Sequence, residues 1–499
     1  MDIIQYSYLV PLIIIIPLVV AILLVFIKNT FISWLATFIT TLLTLGITSF
    51  ILIKGNFTTL SYNFGNFSPP FGIEYEIDIL TIFFLFLISI VGFLTALWSK
   101  GNIISEVGSK NTHLFTAIFL LCFAGSLGIV VTNDLFNLFV FLEITSLTTY
   151  ILIAMGQRKN SALAAFDSLI VGTISASFYV FGVGILYQLF GTLNANDLVI
   201  QISKAPMTPM LMLAIVMLAL GILIKIALFP VCWWLPQTYQ SSPSALSAFL
   251  AGTSVNIALY MLIKVIIIVI GRGIHISLDH FFELLMALSV LSMFAGGIMA
   301  IKQDNLKLLL AFSSISQIGF IVAGISLFSL YGVSSALYLT IVHAFIKSGL
   351  FLCVGNLIYT FGTEKLSELR GLGKKAPFTF FAIIFLSLSL AGIPGTSMFW
   401  GKLYFVISVI QSTNWILIIT VILATILSFL YPWKVIYYLW VSKEESRVPN
   451  AIMLHRKTPI YMNMAIGIFI LLNIYLTFFP DVTYYFIEQI INLNIVAQG

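Results

Sequence analysis

The sequence predicts an all-α polytopic membrane protein of about fourteen transmembrane helices, organised around two inverted five-helix repeats. Three observations predict it. Of the 499 residues, 60% are hydrophobic and only 8% carry charge, a balance that soluble domains do not reach. The apolar residues gather in runs near or above the roughly 20 residues that a helix needs to cross hydrocarbon. Basic residues between the runs alternate in density, as expected of a chain that threads the membrane repeatedly. In such a chain the net charge of +5 is not a nucleic-acid signal, because the placement of the basic residues matters more than their sum.

The runs cover residues 7–27, 31–53, 78–98, 113–131, 135–155, 163–190, 208–229, 243–270, 281–300, 308–328, 332–360, 377–409, 415–438 and 460–479. Lipid satisfies no backbone donor or acceptor, so each span is helical. The first run follows neither a basic segment nor a small-residue cleavage site and is expected to be retained. The runs at 163–190, 243–270, 332–360 and 377–409 exceed the membrane thickness, which implies tilt or internal breaks. Loops after odd-numbered spans hold fifteen basic residues: Lys28, Lys100, Lys110, Arg158, Lys159, Lys302, Lys307, Lys365, Arg370, Lys374, Lys375, Lys443, Arg447, Arg456 and Lys457. Loops after even-numbered spans hold three, Lys54, Lys204 and Arg272. This bias places the odd loops in the cytoplasm and both termini on the other side of a bacterial inner membrane. Lys264 and Lys434 are expected to snorkel toward an interface. Cys122, Cys232 and Cys353 lack metal-ligand spacing and read as small core residues.

Two spans look discontinuous. The seventh ends in Lys225-Ile-Ala-Leu-Phe-Pro230, followed by Trp233-Trp-Leu-Pro236; the twelfth contains Ala391-Gly-Ile-Pro394-Gly-Thr, followed by Phe399-Trp-Gly-Lys402. Proline removes a donor and breaks the helical ladder, and broken membrane helices are tolerated only inside protein or along a wet cavity. The breaks lie five spans apart. Spans 4–8 and 9–13 therefore read as two copies of one unit, and an odd number of spans per copy inverts the second. The expected division is 1–112 for the first three spans, 113–271 and 272–440 for the two repeats, and 441–499 for a loop, the last span and a tail. The stretch from Val231 to Gln240 is expected along the membrane surface.

Within the apolar runs a few ionisable residues remain, and a charge at mid-membrane costs about 2.5–3.5 kcal/mol even on the lenient insertion scale. Glu143 lies about nine residues into span five, roughly 13 Å deep at 1.5 Å per residue, among Thr145, Ser146, Thr148 and Thr149. Lys225 lies seventeen residues into span seven. Burial favours a neutral amine and a nearby carboxylate favours the ammonium, so a Glu143–Lys225 pair of changing separation could load and release a proton. His343 and Lys347 are spaced i,i+4 and share one helix face, the pattern of a proton relay feeding Lys402 beyond the second break. The plainer readings are an interfacial glutamate, a hydrogen-bonded core histidine and an interfacial lysine. Asp167 and Glu283, each near a span start, read as caps or solvent-facing groups. No phosphate-binding glycine loop, Cys cluster or H-E-x-x-H pattern is present in the sequence, so no cofactor and no metal is expected.

Taken together these motifs resemble the proton-translocating antiporter-like subunits shared by respiratory complex I, the NADH-quinone oxidoreductase, and the multisubunit Mrp-type Na+/H+ antiporters. Within that family the chain looks most like the D subunit of the Mrp antiporters, and next like the N or M subunit of the oxidoreductase. The resemblance runs from about residue 75 to 440. It rests on the stretch from Asp134 to Glu143, Lys225 to Pro236, Ser242-Pro-Ser-Ala-Leu-Ser-Ala, Lys307 to Gly319, His343 to Lys347 and Gly392 to Lys402. It implies a coupled pair at Glu143 and Lys225, a terminal carrier at Lys402, partner membrane subunits, and no redox activity in the chain alone. It also implies a lysine or histidine on helix eight, where this sequence reads Gly252-Thr-Ser-Val-Asn256; Asn256 cannot carry a proton. The antiporter reading exchanges protons for Na+ or another monovalent cation, and the oxidoreductase reading drives protons by quinone reduction elsewhere. A diverged structural subunit stays open, and predicts that neutralising Glu143, Lys225 and Lys402 changes little. The joint motifs argue against an unrelated single-chain transporter.

Overall fold

The computed structural model describes residues 6–54, 58–271, 279–370, 372–441 and 457–493. Arg272, Lys443, Arg447 and Arg456 of the loop count, and tail residues 494–499, lie outside them. Among the described residues, thirteen helices are long and apolar enough to cross a membrane. The expected twelfth span appears as two shorter helices, Pro377–Ala391 and Ser397–Gln411, which completes the fourteen. One antiparallel hairpin, Leu60–Asn63 with Glu74–Ile77, precedes span three.

Both breaks fall where the residues demand. Helix Pro209–Ile226 stops because Ala227 turns left-handed, at φ 59°, and Pro230 has no N–H to continue the ladder. The Phe229 N–H is satisfied instead by Ser292 Oγ of span nine, at 2.8 Å. A non-glycine residue in that conformation costs about 1–3 kcal/mol. Helix Pro377–Ala391 stops in the same way at Gly392, φ 78°, where glycine carries no such penalty.

The second half of the seventh helix, Trp234–Ser241, corrects the expectation of a surface segment. Leu235 and Tyr239 are buried, the Tyr239 hydroxyl donates to Leu250 O at 3.2 Å, and the helix packs on spans six and ten.

The repeat is visible in the backbone. Asp134 caps span five, Leu135–Ala154, and pairs with Asn194 beyond the long span six, Ser161–Phe190. Asn305 caps span ten, Leu306–Ser326, and pairs with Lys365 beyond the long span eleven, Leu330–Phe361. The flanking bonds match too: Leu135 N to Leu193 O and Leu306 N to Glu364 O, both 2.9 Å. These two clasps are five spans apart, so they sit on opposite sides of the membrane and the units are inverted.

Spans three, eight, ten and eleven form the enclosed centre. Span eleven is surrounded along its whole apolar window, and span eight nearly so. The helix Pro480–Ile491 returns across span eleven, where Tyr484 stacks on Tyr338 at 4.7 Å. Ionisable residues on the central helices therefore sit in protein rather than lipid.

Candidate functional site

Span ten links three lysines in sequence. At its first turn Lys307 is fully buried, and its Nζ donates to Ser242 O at 2.8 Å and lies 3.3 Å from Ser247 Oγ. One turn on, Lys347 of span eleven, also fully buried, donates to Leu310 O at 2.9 Å and to Ser313 Oγ. Further along, Lys402 Nζ stands 5.0 Å from the centre of the Phe320 ring. From Lys307 to Phe320 is about 20 Å of helix at 1.5 Å per residue. Sequence reasoning counted Lys307 as a loop residue. The signal that could have found it is its register: Lys307, Ser314 and Gln317 share a helix face.

Lys402 sits at the twelfth-helix break as expected. Its ammonium donates to Ala391 O, the last carbonyl of the first half-helix, at 3.3 Å, and to Ser428 Oγ at 2.6 Å. The break thus frees a carbonyl for a buried cation. His343 shares the Lys347 face and is buried, and neither ring nitrogen has a hydrogen-bond partner among the described residues. No carboxylate lies within 4.0 Å of Lys347 or Lys402 among the described residues.

In the first repeat the structure brings Lys225 against span five. Its Nζ donates to Ser146 Oγ at 2.6 Å, and Ser146 follows Glu143 by three residues, about 4.5 Å of rise. The two side chains are not in ion-pair contact; the hydroxyl stands beside the ammonium instead. Glu143 is half-buried, on the side of span five that also shows Phe136, Val140 and Leu147 to the outside. Asn256 is fully buried; its Nδ2 donates to Gly252 O at 2.7 Å, while its Oδ1 has no partner. Asp167 and Glu283 are not fully buried, and Glu283 faces His280 at the start of span nine.

The two lysines expected to snorkel find different surroundings. Lys264 is buried, with its ammonium 3.5 Å from Asp78 and 3.9 Å from Glu76. These partners sit more than 180 positions earlier in the chain, so no local pattern announces them. Lys434 donates to Ile301 O and Gln303 O at 2.8 and 2.7 Å, closing the carbonyl end of span nine.

On the face where the odd-numbered loops gather, a cavity of about 570 Å³ opens between the two repeats, lined among others by Glu106, Arg158, Asn305, Glu364 and Lys365. Arg158 and Glu364 form a two-pronged ion pair across it, both bonds 2.6 Å. Burial pushes the Glu364 carboxyl upward, but Arg158, Lys307 and Asn305 outweigh it and hold Glu364 below its ordinary range. Glu106 accepts from the Ser244 hydroxyl at 2.7 Å and from the Ser244 amide, at the start of span eight. Lys307 lies just inside this mouth.

The profile of the family described as NADH:quinone oxidoreductase/Mrp antiporter, transmembrane, matches residues 132–428, the stretch that contains Glu143, Lys225, Lys347 and Lys402. The chain belongs to this family. It is 36% identical to the N subunit of the NADH-quinone oxidoreductase of Desulforudis audaxviator, over 75% of this chain and 74% of that one. It is 30% identical to the D subunit of the Na(+)/H(+) antiporter of Bacillus subtilis, over 88% of each. Its fold matches a chain of the Mrp complex from Dietzia sp. with a TM-score of 0.88 at 20% identity, over 99% of this chain and 98% of that one. It also matches a chain of an archaeal membrane-bound sulfane sulfur reductase, TM-score 0.87 at 25% identity, over 98% of each. Membership agrees with the fold, the breaks and the multi-pass character read from the sequence.

Proposed function

We propose that this chain is the proton-carrying membrane subunit of a multisubunit monovalent cation/proton antiporter. The observation that carries the proposal is the line of three buried lysines along span ten, none of them within 4.0 Å of a carboxylate among the described residues. Such groups are costly in a membrane and are kept where they carry ions. In this reading Glu143 and Lys225 load the proton, Lys347 and His343 pass it on, and Lys402 delivers it beyond the second break. At an effective dielectric of 20, opening a Glu–Lys pair from about 4 Å to about 8 Å weakens its attraction from about 4 to about 2 kcal/mol. That changes proton affinity roughly thirtyfold, enough to switch a carrier between loaded and empty.

Partner subunits enter the same reading. A half-exposed Glu143 on an otherwise apolar face would be poorly placed against lipid, which supports a neighbouring membrane subunit covering span five. The same reading divides the chain at about residues 112, 271 and 440, and sets the odd loops in the cytoplasm of a bacterial inner membrane with both termini opposite. Reporter fusions at the two termini test that orientation; a cytoplasmic signal from either would overturn it. A second reading, a proton-pumping subunit of NADH-quinone oxidoreductase, is favoured by the 36% identity to an N subunit of that enzyme. Purification of the intact complex decides between them. Small antiporter subunits without iron–sulfur proteins support the first, and co-purifying NADH-oxidising iron–sulfur proteins would sink it.

A further inference from the structure

Span eight, Ser244–Ile270, lacks the ionisable group that the resemblance implies near Asn256, yet it carries polar groups at four-residue steps beyond that point. Gly252 faces Ser348, the neighbour of Lys347: a side chain at Gly252 would collide with Ser348 Oγ. Asn256 follows with its unpartnered Oδ1. The Tyr260 hydroxyl donates to Val130 O at 2.7 Å and stands 3.3 Å from Thr81 Oγ1. Lys264 comes next, between Asp78 and Glu76. At Leu262 the helix widens to a π-helix, which re-aims the side chains that follow and recurs at functional sites. The four positions form one face leading from the Lys347 region to the hairpin at the even-loop surface.

The two carboxylates are set apart by their surroundings. Burial raises Asp78, but Lys264 and the Thr81 amide and hydroxyl outweigh it and hold it below its ordinary range. Burial raises Glu76, and Lys264 only partly offsets this, with Asp78 and Glu74 adding to the rise. Asp78 is thus the tighter counter-ion of Lys264 and Glu76, also bonded to Asn196 at 3.3 Å, the looser one, and acid–base pairs use such unequal surroundings. Tyr260 is the other titratable group near Lys264. Of the helices packed on the π-helical segment, Ala195–Lys204 carries Asp197, which accepts from Thr192, and Lys204; span seven carries only Lys225, bonded to Ser146.

We propose that Lys264, Asp78 and Glu76 form a proton-exchanging station that connects the centre of the protein to the even-loop face and stands in for the group missing at position 256. The proposal rests on the proton-translocation reading above. Both carboxylates favour the Lys264 ammonium at rest, so the step requires the Lys264–Asp78 contact to open. One proton then leaves Lys264 Nζ for the Glu76 carboxylate, 3.9 Å away at rest, and passes to bulk water; the amine is reprotonated from the Tyr260 side, and no electron moves. Glu76 also accepts from Asn196 Nδ2 at 3.3 Å, so a clamp accounts for part of its placement; it does not account for the orphan oxygen of Asn256 on the same face.

The test uses the intact complex in everted membrane vesicles, with NaCl-induced change of a pH gradient as readout and native-gel assembly measured in parallel. Glu76→Gln keeps the Lys264–Asp78 contact, and Lys264→Arg keeps the ion pair but does not release its proton. Both should assemble and lose at least fivefold in rate, with the pH profile of the Glu76→Gln complex flattened. Rates and pH profiles like those of the unaltered complex would overturn the proposal. So would a Lys264→Arg complex that restores the rate lost in Lys264→Met, or failure of Glu76→Gln to assemble. If the unaltered complex itself moves no protons, the underlying reading fails instead.

Discussion

Replacing Lys347 by methionine separates a functional lysine from a structural one. Methionine is close in length and has no charge, so Lys347→Met removes an insertion cost of about 2.5–3.5 kcal/mol at a helix centre. It also removes the bonds from Nζ to Leu310 O and Ser313 Oγ. Those partners do not become orphans, because the Ser313 and Ser314 hydroxyls both donate to Leu310 O, at 2.9 and 3.0 Å. The lost bonds are then worth about 1–2 kcal/mol. The balance is neutral or favourable to the fold by about 1–2 kcal/mol, in line with other buried charges replaced by apolar groups of similar volume. The expected result is a complex that assembles fully, melts no lower than the unaltered one, and moves protons at least tenfold more slowly, or at least about 1.4 kcal/mol on the barrier. Native-gel assembly, thermal melting and vesicle proton transport measure the three quantities. Transport within twofold of the original, or a lower melting point with transport lost only in proportion to missing complex, would refute the reasoning.

Other outcomes follow from single contacts. Ser146→Ala removes the hydroxyl that holds Lys225 and should slow transport three- to tenfold, a change of about 0.7–1.4 kcal/mol, with assembly intact; Ser146→Thr should restore it in the same vesicle assay. Because Glu364 is held below its ordinary value of 4.5, its ion pair stabilises the protein fully above that value and is lost as pH falls through the lower, folded-state one. Glu364→Gln should therefore cost about 1–3 kcal/mol at neutral pH, seen as a lower melting point, and the difference from the parent should close in acid. Gly392→Ala places a side chain at φ 78°, 3.0 Å from Lys402 Cδ; it should cost about 1–2 kcal/mol in melting stability and slow transport by displacing Lys402.

Much of the architecture was legible because hydrocarbon imposes it. The length of each apolar run fixed the spans to within a few residues, and Pro230 and Pro394 marked breaks that the backbone places at Ala227 and Gly392. The shared face of His343 and Lys347 also follows from spacing alone. Lys264 and Lys307 show where such reasoning stops. Each lies near the end of an apolar run, where solvent and burial look alike in sequence, and burial is decided by chain segments far away: Asp78 and Glu76 for one, Ser242 and Ser247 for the other. The Arg158–Glu364 pair spans 206 positions and joins two loops that sequence treats only as positive charge. Spacing alone could not tell what Lys225 touches on span five: its ammonium rests on Ser146, three residues beyond Glu143.

The most direct test of proton passage through this chain is Glu143→Gln in the fully assembled complex, read as proton movement in sealed vesicles. The isosteric amide keeps the shape of span five and removes the carboxylate three residues from Ser146, the partner of Lys225. The account predicts normal assembly with transport reduced at least tenfold. Transport at the original rate by that complex would contradict it.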